Sequence, residues 1–468
     1  MIFTEGRFFV FFLVAFAVHW ALRSNVQRKV WLLVTSYAFY AAWDWRFLGL
    51  ILFSTLVDYT VGVMLGRAAE PRARKAWLLV SLVANLGLLG FFKYFNFFID
   101  SGARVLDWMG LGAHDWTLNI LLPVGISFYT FQTLSYSIDV YRRRLEPVRS
   151  LLDLAVFVGF FPQLVAGPIV RAAHFLPLLT EKRRWADVAV RPALSLFLFG
   201  FIKKACLADN AAQIADQVFG DPGAYSNLGT WLGLFMYNIQ LYCDFSGYSD
   251  MAIATAALLG YHLPDNFDFP WFSRNINDFW RRWHISLSSW AMDYIYIPLG
   301  GSRGSEARTI FNFYVTMGLI GLWHGAAWTF VLFGLLHATY VAIYRIYRRV
   351  VAEGSSPAAF FALVGCPLTV VAVQLSFLPF RSESVGEMWT LTKVVLFLER
   401  GGELSPDPLW FGVYVGAGLA HWVTYKRYLH GFFGGLPTWA WSLVYGGAWA
   451  LTLPWVATGY TPFIYFRF

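Results

Sequence analysis

Nine histidines are the side chains best suited to move a proton near neutral pH, and two of them have unusual surroundings. His324 lies in IGLWHGAAWTF, inside a run from Ile310 to Tyr344 that holds no Asp, Glu, Lys or Arg. An ionisable group in so apolar a run marks a functional site by default. The alternative is a neutral core imidazole donating to a backbone carbonyl. Gly318, Gly321 and Gly325 beside it would let a helix or a substrate approach closely. His284 lies in NINDFWRRWHISLSSW, which is too polar for an ordinary span and too apolar for an open loop. Trp280, Trp283 and Trp290 suit an interface, and Arg281 and Arg282 set two cations beside the histidine. The alternative here is an amphipathic helix solvated at the headgroups. A neutral imidazole, with an ordinary pKa of about 6.5, could serve as general base toward a hydroxyl at pH 7.

Other groups point elsewhere. No GxSxG, Walker, HExxH or Rossmann pattern is present. His19, His114, His174, His262, His421 and His430 have no ligand spacing with Cys, Asp or Glu, so no metal is expected. His337 reads as packing. Lys203, Lys204 and Asp209 fall in a buried-looking stretch, where they either pair with each other or bind an anion. Asp244, in LYCDFSGYSDMA, would brace a broken helix.

The elements that must hold these residues are membrane helices. Of 468 residues, 58% are hydrophobic, 19% aromatic and 14% charged. A soluble chain carries roughly 25% charged residues, so a water-soluble enzyme would lack polar surface. Three cysteines exclude a disulfide scaffold. A net charge of +8 would raise nucleic acid as a partner, but the cations sit between apolar runs and no basic-aromatic motif accompanies them.

The apolar runs are 7–22, 30–43, 46–65, 76–99, 117–140, 150–170, 193–218, 228–258, 310–328, 330–344, 358–379, 409–425 and 438–457. The 35 residues from Ile310 to Tyr344 would measure about 52 Å as one helix, so they must fold back once. The run 150–170 is flanked by basic loops on both sides and contains Pro162, Gly167 and Pro168, so it reads as re-entrant. With that assignment, 26 of the 36 Lys and Arg fall in cytoplasmic loops, and both termini lie outside. The run 193–218 carries Lys203 and Lys204 and is a candidate for a break. The expectation is one membrane domain, 1–468, of about 11–12 transmembrane helices plus re-entrant segments. The polar segment 262–309 is its cytoplasmic or re-entrant active-site segment, and 458–468 is its aromatic tail. Glu5 and Arg7 precede the first run and no cleavage site follows it, so it reads as a retained span. A transporter is the competing class, but no two-fold repeat is found.

At RRWHISLSSW, DYIYIPLGG and GLWHGAAWTFVLFGLLH the sequence resembles the membrane-bound O-acyltransferase (MBOAT) superfamily. FFPQLVAGPIVR and YCDFSGYSDMA are similar to its bacterial branch, typified by alginate O-acetylase. The resemblance runs from about Phe39 to the C-terminus. It implies an all-α polytopic membrane protein, with helices in a ring around a central pore. It implies that His324 is the catalytic histidine, the general base, and His284 the second signature histidine, beside or among the donors that stabilise the oxyanion. It implies transfer of an acyl group, most simply acetyl, from a cytosolic thioester such as acetyl-coenzyme A to an exported polysaccharide such as alginate. Cellulose, peptidoglycan and teichoic acid are alternative acceptors within the same core. No resident cofactor is expected. Arg281, Arg282, Lys203 and Lys204 are candidates to hold the phosphorylated carrier. A periplasmic SGNH-hydrolase-like partner would handle the acceptor, and the bacterial inner membrane is the expected location. Tyr465, in the closing aromatic tail, is either an interfacial anchor or an acyl relay.

Overall fold

The computed structural model describes residues 1–112, 116–221, 223–351, 356–425, 435–457 and Phe463, the side chains of 356–362 excepted. Among these residues helices carry the whole architecture, and the one β-type pairing is an isolated bridge between Tyr225 and Leu404. Four helical stretches are long and apolar enough to cross a membrane: Asn25–Arg67, Pro71–Trp108, Trp328–Val350 and Leu363–Arg381. The other apolar runs are shorter or interrupted. The chain folds as two compact units, Met1–Phe197 with Met251–Pro264, and Leu198–Asp250 with Asp265–Phe468.

The first unit is organised around Ile126–Tyr141, ISFYTFQTLSYSIDVY, in which every residue but Ile138 and Tyr141 is buried. Helices Leu48–Arg67 and Pro71–Leu89 pack on it. Their shared interface holds Asp58, whose Oδ1 accepts from Ser81 (2.5 Å) and Ser137 (2.6 Å) and whose Oδ2 accepts from Asn85 (2.8 Å). Three donors on two neighbouring helices thus satisfy a carboxyl that would otherwise be costly to bury. The Arg74 guanidinium donates to the carbonyls of Leu65, Val140 and Tyr141, at the C-terminal ends of two helices.

One expectation changes here. The run 117–140 is helical only from Ile126. Pro123 lacks an N–H and disfavours helix before it, and Gly125 adopts φ 77° to start the helix. The run 150–170 is a helix, Leu151–Gly159, that breaks at Phe160 ahead of Pro162 and resumes for one turn at Phe161–Leu164. All of its residues from Leu154 to Val170 are buried.

In the second unit a π-helical segment, Ile202–Ala208, runs directly into Asp209–Gly220, so the run 193–218 stays helical through a π-turn at the two lysines rather than breaking. The long helix Asn227–Leu258 follows. Between Glu306 and Val350 the chain forms an antiparallel hairpin, Glu306–His324 and Trp328–Val350, turning through Gly325–Ala327. This is the expected fold-back. Its two arms approach closely because a Cβ on Gly321 would strike the Phe330 carbonyl, and one on Gly334 the Met317 carbonyl. At the open end Arg345 and Arg349 both reach Glu306, at 2.8 and 2.6 Å. Ser356–Arg381 packs on the hairpin, and Val385–Val395, a helix the apolar runs did not reveal, follows it.

Candidate active site

The two singled-out histidines come together in the second unit. His284 is placed by a short backbone clasp: Asp268 N–H donates to Arg282 O, and Ile285 N–H to Asn266 O, both at 2.9 Å. Asn275 starts the helix Ile276–Arg282 by accepting from Asp278 N–H. The chain then turns sharply at His284, with φ 43° and ψ 53°. For a residue with a Cβ this left-handed conformation costs roughly 1–3 kcal/mol, and such strain gathers at functional sites. The turn buries the imidazole completely. Its Nδ1 lies 3.3 Å from Asn266 Oδ1.

His324 is the last residue of the first hairpin arm, 3% exposed. Its ring centroid is 6.4 Å from that of His284. Trp323 lies edge-on to both, at 5.8 and 5.1 Å. Phe245, from the long helix, closes on His284 at 4.6 Å, while Phe380 and Phe333 close on His324 at 5.2 and 5.7 Å. Two imidazoles in an aromatic box can move protons where water is scarce and charge is poorly screened.

Two cavities lie at opposite ends of Trp328–Val350. One, of about 450 Å³, lies at the hairpin turn, lined in part by Tyr237, Gln240, Thr329, Phe330 and Phe380. Phe380 is shared between this cavity and the ring cage of His324. The other, of about 700 Å³, holds Arg274, Arg281, Arg282, Arg345, Arg348 and Arg349. Hydrogen bonding from Arg345 holds the Glu306 carboxyl below the usual range, so it stays ionised and balances part of that charge. Arg282 pairs with Asp278 at 2.9 Å. Among the described residues no carboxylate pairs with Arg274 or Arg281, so their charge is available to an anionic ligand.

Arg281 and Arg282 therefore sit in a cationic cavity, joined by four arginines whose sequence signal was read only as topology. The spacing of Arg345, Arg348 and Arg349, at i, i+3 and i+4, puts them on one helix face. Lys203 and Lys204 do not line this cavity. Lys203 pairs with Asp250 at 2.5 Å; Lys204 bridges Asp209 and Asp244 at 2.7 and 2.9 Å. Carrier binding at these two lysines gives way to internal ion pairs, because a buried ammonium demands a counter-charge. His337 is a packing residue, with Nε2 2.9 Å from Ser376 Oγ and its ring stacked on Phe279. Tyr465 lies outside the described residues. Phe463, from the same tail, is buried against Tyr248 and Phe245. Asn266 carried no sequence signal. Among the described residues no group of three or more His, Cys, Asp or Glu could hold a metal ion.

A family model for the membrane-bound O-acyltransferase family matches residues 38–360, which include both histidines. The chain belongs to this family. The acyltransferase is 43% identical over 351 residues to an Azotobacter vinelandii protein named "Probable alginate O-acetylase AlgI", covering 74% of this chain and 69% of the relative. A Pseudomonas aeruginosa protein of the same name is 39% identical over 395 residues, 84% of this chain and 74% of the relative. A Helicobacter pylori protein named "Peptidoglycan O-acetyltransferase" is 37% identical over 371 residues, 73% and 69% of the two chains. The acyltransferase is accordingly a multi-pass membrane enzyme that transfers an acyl group to oxygen.

Proposed function

We propose that this enzyme takes an acetyl group from a cytosolic thioester, acetyl-coenzyme A or a relative of it, and delivers it for O-acetylation of an exported polysaccharide such as alginate. The observation that carries this reading is the buried histidine pair beside a cavity at the hairpin turn, with a separate arginine-lined cavity at the other end of the same helix. Phosphates of the carrier would be held by Arg274 and Arg281, and the acceptor would enter from the hairpin turn. In the reaction an acceptor oxygen bonds to the thioester carbonyl carbon, its proton passes to a histidine, and the carbon–sulfur bond breaks. The bacterial inner membrane, termini on the periplasmic side and a periplasmic SGNH-hydrolase-like partner complete the proposal. Acetylation of peptidoglycan is the second reading, favoured by the Helicobacter pylori relative.

The test is transfer of radiolabelled acetyl from acetyl-coenzyme A by the purified protein together with the chains that co-purify with it. Label should reach an alginate-type acceptor, and Arg281→Gln with Arg274→Gln should raise the donor KM at least tenfold. Label reaching only peptidoglycan fragments would select the second reading. An unchanged donor KM would remove the arginine cavity from the mechanism.

A further inference from the structure

A groove of about 530 Å³ runs between Trp328–Val350 and Ser356–Arg381. Both helices contain stretches long and apolar enough to cross a membrane. One wall is a face of the first helix, where Tyr340, Ile343, Tyr344, Tyr347, Arg348 and Val351 recur at helical spacing. The other wall is Gly365, Leu368, Thr369 and Ala372, spaced i, i+3, i+4 and i+7 on the second. Ile343 and Leu368 are 59% and 52% exposed, so the groove opens sideways, away from the protein. Its two ends differ. Arg348 lies in the last turn of its helix, and Arg274 and Asn275 border the groove beside it. Arg274 is fixed there by close packing: a Cβ on Gly365 would lie 2.5 Å from the Arg274 carbonyl. The Arg274 guanidinium pairs with no carboxylate among the described residues. Away from this end the lining turns apolar, through Leu368 and Ile343 to Ala372. From Val351 to Tyr340 the groove follows about 16 Å of helix. That is about the depth of one leaflet, half of a hydrocarbon core about 30 Å thick.

We propose that this groove binds an anionic glycerophospholipid, with the phosphate at Arg274 and Arg348 and one acyl chain along the apolar length. Surface made by Ile343, Leu368 and Ala372 gains nothing from water, whereas an acyl chain is as apolar as these side chains and fills the space. A free phosphate would satisfy the cations and leave the apolar length empty. An apolar helix from another chain would fill the length and leave the Arg274 charge unanswered where it is poorly solvated. An amphiphile with its acid at one end satisfies both, in the order in which the groove presents them. Tyr344 and Tyr347, stacked at 6.2 Å, stand beside the cations, as tyrosines do at headgroup level. The headgroup must be negative, because a zwitterionic lipid brings its own ammonium toward two guanidiniums and loses much of the attraction. Arg274 and Arg348 also line the cavity assigned to the carrier's phosphates, while Arg281 lines that cavity and not the groove. Lipid and carrier thus sit side by side on cations they share.

The decisive measurement reads lipid binding and needs no turnover, so its outcome is separate from that of the acetyl-transfer reading. The purified full chain is reconstituted into vesicles of equal parts phosphatidylglycerol and phosphatidylethanolamine with identical acyl chains, then released into mild detergent. Native mass spectrometry counts the lipids each chain retains. The wild type should keep one tightly held phosphatidylglycerol, preferred over phosphatidylethanolamine by about tenfold, the order expected for two arginines at an anionic headgroup. Arg274→Gln with Arg348→Gln should bring the two lipids close to parity. Ala372→Phe and Leu368→Trp fill the groove and leave the arginines in place, and each should lower retained phosphatidylglycerol by a similar factor. Inorganic phosphate added to the wild type should leave the lipid bound. Equal retention of both lipids by the wild type, an undiminished preference in the Gln pair, or full retention in the groove-filled variants would overturn the proposal. Release of the lipid by phosphate would reduce the groove to a simple anion site and overturn it too. Should a bulky variant aggregate, the Gln pair still decides, since Arg274 and Arg348 are both exposed.

Discussion

The hairpin carries two histidines thirteen residues apart, and their surroundings assign them different fates. His324 sits in the box with His284, and substitution by Ala should reduce acetyl transfer by about 10²–10⁴-fold, the usual cost of losing an acid–base group. Purified yield and monodispersity should match wild type, and residual activity above a tenth would exclude an essential role. His337 instead bonds Ser376 and packs between Phe279, Trp280 and Phe333. His337→Ala should destabilise by about 2–4 kcal/mol, as other large-to-small core changes do, lowering the melting temperature in detergent. Transfer per folded molecule should stay within a few-fold of wild type. A catalytic collapse without a stability loss would show the two assignments to be reversed. The sequence placed both rings in one uncharged run and distinguished them only through the family motif. It could not reveal Asn266, whose place at the site rests on a contact with a residue eighteen positions away.

Among the elements, the Glu306–Val350 hairpin is where packing tolerance is smallest. Gly334→Leu would force a side chain into the Met317 carbonyl and separate the two arms. Size-exclusion chromatography should show loss of the monodisperse species. Gly318→Ala is the matched control: its Cβ would meet only Leu335 Cδ2 at 3.5 Å, an ordinary contact, and the protein should behave as wild type. Equal tolerance at both positions would mean the arms are not held by close backbone approach. The fold-back itself was legible because 35 apolar residues exceed any bilayer. The start of the helix at Ile126 was not, because apolar composition continues straight through Pro123 and Gly125 while the backbone does not. Nor was the Asp58 cluster, since Asp58 and its partners Ser81, Asn85 and Ser137 are scattered through three apolar runs and converge only when the helices pack.

At the scale of the whole molecule, the basic residues bear twice on the direction of transfer. Their asymmetry between loops predicts a cytoplasmic 262–309. The same segment supplies Arg274, Arg281 and Arg282 to the cavity assigned to the donor's phosphates. The two arguments are separate, one resting on membrane insertion and the other on ligand chemistry, and both require the same face of the membrane. A single cysteine can test both. Ser305 is a poor site for it, because its hydroxyl accepts from Arg308 N–H and starts the Glu306–Val350 hairpin. Arg303 is exposed and two residues away, so Arg303→Cys should leave the hairpin intact. The background chain would carry alanine at Cys206, Cys243 and Cys366, the first and third of which are half-buried. In intact cells the new thiol should react with a membrane-permeant maleimide and stay unlabelled by an impermeant one until the cells are opened. Labelling by the impermeant reagent in intact cells would put the arginine cavity on the outer face. A cytosolic thioester could not reach it there, and the proposed path of the acetyl group would have to run the other way.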